Sequence, residues 1–82
     1  MLRRREEPMT ADEIAKFEKL AEDAYTRMYD APRNRARECY EDAMQYLADA
    51  IRLAENAKLI EASARLKARK QHIYDVYTHQ FR

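Results

Sequence analysis

The stretch Ala54-Glu55-Asn56-Ala57-Lys58-Leu59 decides the shape of this 82-residue chain. It separates two apolar stripes that do not share a helical phase. Upstream, Ala36, Tyr40, Ala43, Leu47, Ala50, Ile51 and Ala54 recur on one helical face. Continued downstream, that face would carry the charged Glu61. A new stripe begins instead with Leu59, Ala62, Ser63, Leu66, Ile73, Val76 and Tyr77. A corner at Asn56–Lys58 turns both stripes toward one core. Without it, Pro32 to Phe81 would be one helix of about 70 Å, unable to bury its apolar face without a partner chain. Asn56 tolerates left-handed backbone better than most residues, so it is the expected residue just past the helix end.

Outward from this stretch, Asp30-Ala31-Pro32 is the clearer break. Pro32 lacks an N–H and biases Ala31 away from the α region. Asp30 or Ala31 is the expected N-cap, with Pro32 in the first turn of the next helix. Before it, Ile14, Phe17, Ala21, Ala24 and Met28 alternate at spacings of three and four, widened by Leu20 and Tyr25. Thr10 and Glu13 fit a capping box at the start of that helix. Met1 to Met9, with Arg3, Arg4, Arg5, Glu6, Glu7 and Pro8, shows no apolar period and reads as a charged, disordered tail. The expected architecture is all-α: a three-helix antiparallel bundle over about residues 10–29, 33–55 and 58–80, forming one domain across 10–82. Its expected core draws Ile14, Phe17, Ala21, Ala24 and Met28 from the first helix and Ala43, Leu47, Ala50, Ile51 and Ala54 from the second. Leu59, Leu66, Ile73 and Val76 complete it from the third.

Composition agrees. The chain has no glycine, where an ordinary sequence of this length has about six. Hairpin turns and phosphate-cradling loops depend on glycine, so they drop out together. The charge balance, Lys+Arg 16 against Asp+Glu 15, lacks the basic excess typical of nucleic-acid binders. Cys39 is the single cysteine, so an internal disulfide or a cysteine-based zinc site is excluded. No apolar run is long enough to span a membrane, and a cytoplasmic location is the expectation. A core this small buries only about 60–65% of the unfolded surface, and oligomerisation would add to it.

The order small, bulky, small, then two aliphatics from Ala43 through Leu47, Ala50, Ile51 and Leu53 resembles the second helix of a tetratricopeptide-type repeat. From Ala54 to Tyr74 the chain resembles the turn and first helix of a following repeat, with Ala62, Ala64 and Tyr74 at its small and aromatic positions. Lys58 and Gln71 stand where that family often has glycine, and Glu55 where it has proline. The resemblance implies antiparallel helix-turn-helix packing through alanines. It carries the family's habit of binding peptides as an expectation, although true arrays need about three repeats.

Catalytic motifs are missing: there is no glycine-flanked serine, phosphate loop or paired metalloprotease histidine. The expected function is a non-enzymatic protein-interaction module that self-associates as a homodimer, with no cofactor. Six tyrosines against two phenylalanines and no tryptophan favour core rims and interfaces, because tyrosine buries its ring while its hydroxyl stays wet or bonded. Tyr74, Tyr77, Phe81, Tyr40 and Tyr46 are the candidate partner-binding residues. The alternative is a nucleic-acid-binding or regulatory protein using Arg33, Arg35, Arg37, Arg65, Arg69 and Lys70. Its competing reading is a solvated face paired with Glu18, Glu22 and Asp23 of the first helix. His72, Asp75 and His79, at i, i+3 and i+7, share a helix face and could hold a divalent metal, but a polar helix flank near the C-terminus is the reading adopted, and no metal is expected.

Overall fold

A computed structural model describes the backbone of residues 2–81 and the side chains of residues 10–81. Three helices follow one another: α1 (Leu2–Asp30), α2 (Arg33–Asn56) and α3 (Ile60–Val76). The last runs straight into a π-helical turn, Tyr77–Phe81. Among the described residues there is no strand. The all-α, three-helix expectation is met, and the corner near Asn56 exists.

Each corner is built from backbone chemistry. At the first, Ala31 N–H closes α1 on Arg27 O at 2.9 Å. Pro32 is itself the N-cap of α2, one position later than expected, with φ −56° and ψ 153°. Its carbonyl accepts from Arg35 N–H at 2.8 Å and Ala36 N–H at 3.0 Å. The ring fixes φ, and a cap position asks nothing of the missing N–H. At the second corner, Leu59 N–H bonds Ala54 O at 2.8 Å and Lys58 N–H bonds Glu55 O at 3.0 Å. This six-to-one and five-to-two pair is the Schellman pattern, which needs a left-handed residue between the two helices. That residue is Lys58, with φ 60°, and not the expected Asn56, which remains helical.

The beginning of α1 also differs from expectation. Backbone residues 2–9 are helical, and Thr10 lies inside the helix rather than at its start. That segment contains no glycine and is rich in Arg and Glu, which carry good helix propensity. The side chains of residues 1–9 lie outside the described residues.

Alanine sets the packing. Ala21, Ala24, Ala43, Ala50 and Ala54 are fully buried between α1 and α2 and beneath α3. Met28, Leu47, Leu66 and Ile73 are the large side chains that fill the space so created. Small residues let the backbones approach, and the few large ones interlock across the gap. Ala36 and Ser63 are buried as well, both on the stripes but outside the expected core. Phe17, Ile51 and Val76 are only half-buried. Leu59 is 37% exposed, because it serves as the cap of α3 rather than its first core residue. The Cα envelope measures 49 × 18 × 12 Å, so the helices form a slab about one helix diameter thick.

Candidate docking face

The α2–α3 seam has two sides. Across one of them lies α1, tied to α3 by two ion pairs one helical turn apart, Arg65–Glu18 and Arg69–Glu22. The second is bidentate, with Arg69 Nε 2.7 Å and Nη2 2.6 Å from the two Glu22 oxygens. Its guanidinium also lies 5.1 Å from the centre of the Tyr25 ring. The bond to Glu22 holds the Arg69 charge more firmly than in water, against the opposing pull of burial.

An aromatic cluster closes the end of the slab where α1 stops and α2 starts. Tyr25 and Tyr29 share a 3.1 Å hydroxyl hydrogen bond. Tyr29 meets Phe81 edge-on at 5.2 Å, and Tyr77 stacks on Tyr40 at 4.0 Å. The π-helical turn brings Tyr77 and Phe81 into this cluster together. Burial, reinforced by the bond from Tyr29, pushes the Tyr25 hydroxyl up to about 12. Burial also raises Tyr40, helped by neighbouring Tyr74 and Tyr77.

The other side of the seam is uncovered. Three adjoining depressions run along it, of 490, 420 and 400 Å³. Leu59, Ile60 and Ala64 border the first, Met44 and Ile51 the second, and Tyr40, Tyr74 and Tyr77 the third. Glu55 and Lys67 join the first to the second, and Tyr74 joins the second to the third. Ile60 is 81% exposed and Tyr74 43%.

The expected partner-binding aromatics therefore separate. Tyr40, Tyr74 and Tyr77 border the open face, Phe81 packs inside the end cluster, and Tyr46 lies away from both against Phe17 at 6.4 Å. Sequence reasoning missed Met44, Ile51, Leu59 and Ile60 as surface residues. Their signal was a second stripe on α3, Ile60, Ala64, Lys67, Gln71 and Tyr74, at spacings of four and three. Lys67 and Gln71 in its middle disguise it.

The six basic candidates do not make one strip. Arg65 and Arg69 face α1 and are paired there, Lys70 borders the open face, and Arg37 pairs with Glu41 at 3.3 Å. Arg35 lies beside Asp30, Glu38 and Asp42 in a separate depression, and Arg33 is exposed. Of the acids expected to cover this basic face, Glu18 and Glu22 do so.

The structure places His72 and His79 in separate local contacts. No group of three His, Cys, Asp or Glu among the described residues is placed to hold a metal. His72 sits against the Tyr25 ring, and His79 donates its Nδ1–H to the Asp75 carbonyl at 2.7 Å. The wider π turn removes the α-helical register on which the i+7 spacing depended.

Among the described residues, no helix is long and apolar enough to cross a membrane. No protein-family model, curated protein or solved structure matches the chain. The likeness to tetratricopeptide repeats accordingly remains one of local pattern.

Proposed function

We propose that this protein is a non-enzymatic protein-interaction module of the cytoplasm, and that the open side of the α2–α3 seam is its docking face. One observation carries this reading. A row of three depressions runs the length of α3, apolar on either side of the Lys67–Glu55 bridge, with Ile60, the most exposed large aliphatic side chain among the described residues, at one end and Tyr74 toward the other. Covering a side chain like Ile60 is worth about 1.5–3 kcal/mol. Among the described residues, no element lies over Ile60 to supply that cover. The three depressions are open to solvent rather than enclosed, a shape that suits a docking surface more than a water-excluding active site.

The test compares the tagged full chain with its Ile60→Asp variant as bait in the cells that make it. Proteins held by the wild type should fall more than tenfold on the variant, while circular dichroism shows the same helix content. Equal recovery on both baits would assign the interaction to another surface and end this reading.

A further inference from the structure

The groove also carries information about its occupant, and this step rests on the docking face just described. Charge is the first part. Lys67 spans the seam to Glu55 at 2.8 Å, and Arg37 holds Glu41 at 3.3 Å. These pairs use up both carboxylates that line the groove. Lys58 and Lys70 also line it, and neither has an ion-pair partner among the described residues. The groove thus has apolar stretches on either side of the Lys67–Glu55 bridge and carries two cations that are unpaired among the described residues. Lys58 is at the corner end, and Lys70 is about 15 Å along α3 from its first residue, Ile60, at 1.5 Å per residue.

Shape is the second part. Ile60, Ala64, Lys67, Gln71 and Tyr74 repeat at four and three, the spacing with which one helix seats against another. Ile60 and Tyr74 stand about 21 Å apart along the axis, four turns of a facing helix. A second copy of this chain fits poorly. A two-fold contact uses the same patch on both subunits. It would set Lys58 and Lys70 of one groove against the same cations of the other, with no free carboxylate added.

We propose that the occupant is an amphipathic helix of another protein, about four turns long, with an apolar stripe for the groove and carboxylates flanking it for Lys58 and Lys70. Its apolar side chains cover Ile60, Met44, Ile51 and Tyr74. Its acids sit beside Lys58 at the corner end and beside Lys70 at the middle depression, where the lysines steer the approach.

Two synthetic 18-residue helices test this on the full-length protein, observed by amide NMR. Both carry the same leucine stripe; one is flanked by glutamates, the other by lysines. The glutamate helix should shift amides of Ile51, Ile60 and Tyr74 saturably, and the lysine helix should bind at least tenfold more weakly. The double variant Lys58→Gln, Lys70→Gln, still folded by its amide spectrum, should lose about tenfold affinity for the glutamate helix, two exposed pairs' worth. Equal binding of both helices at this face would overturn the acidic partner and leave the docking face standing. Shifts elsewhere, or none with either helix, would overturn both. A solution mass of two chains, abolished by Ile60→Asp, would make a second copy the occupant and overturn the charge argument alone.

Discussion

The two sides of the α2–α3 seam are made from the same two helices and end in opposite states. On the α1 side, the residues at the seam are small or fully enclosed: Ala43, Ala50, Ala54, Leu66 and Ile73. Arg65 and Arg69 lock that side to α1. On the other side, Met44, Ile51, Ile60 and Tyr74 are larger and remain partly or mostly in water. Hydrophobicity alone therefore does not mark the core of this protein. What distinguishes the closed side is the alanine that lets helices approach, with carboxylates on α1 that answer each arginine. The open side has bulk without a complementary surface, and two of its three lysines, Lys58 and Lys70, have no carboxylate partner among the described residues. One side stabilises the fold, and the other is left for something outside it.

The sharpest way to break this contrast is to substitute one residue on each side. Leu66→Ala removes an enclosed side chain and should cost about 2–5 kcal/mol. That is a large share of the stability available to a domain of this size, about 5 kcal/mol. Ile60→Asp, on the open side of the same helix, should change stability by no more than about 0.5 kcal/mol. Urea titration followed by circular dichroism measures both. Comparable losses would mean that the open groove is part of the core after all.

A pH titration sharpens the closed side. Tyr25 is held up to about 12, first by burial and then by its bond with Tyr29, with Arg69 pulling the other way. The folded state thus keeps this proton where the unfolded chain, titrating near 10, loses it. The associated stabilisation is complete below pH 10 and is lost as pH rises through about 12. Phenolate absorbance should show a late step that disappears in Tyr25→Phe, along with part of the alkaline loss of stability. All tyrosines ionising together near 10 in the folded protein would remove Tyr25 from the closed cluster.

How much of this was legible in the sequence follows the same division. The closed side was readable, because Ala21, Ala24, Leu47, Ala50, Leu66 and Ile73 obey a single helical period. The open side was hidden, because Lys67 and Gln71 interrupt the stripe from Ile60 to Tyr74. Whether a half-polar stripe is groove or plain surface depends on whether another helix lies over it, and periodicity carries no such information. Tyrosine count pointed toward an interface, yet composition could not separate Tyr74, which borders the groove, from Tyr29, which is also exposed but meets Phe81 edge-on at the end of the slab. The π-helical turn had no sequence signal that was read, and it is what misplaced the His79 candidate.

Lys58 belongs to both sides of the comparison. Its left-handed backbone, φ 60°, makes the corner that creates the seam, and its side chain borders the open groove. A residue with a Cβ in that conformation costs about 1–2 kcal/mol relative to glycine. Glycine returns part of this as extra freedom in the unfolded chain, so Lys58→Gly should raise stability by about 0.5–1 kcal/mol. The same change deletes one of the two free cations of the groove. It should therefore weaken the glutamate-flanked helix several-fold while making the fold more stable, a pairing of effects that damage to the structure could not produce. If affinity is unchanged and stability alone rises, Lys58 is only a strained corner residue, and the charge on the open side belongs to Lys70. If stability falls instead, the corner depends on contacts of the lysine stem, and the strain assigned to this position is wrong.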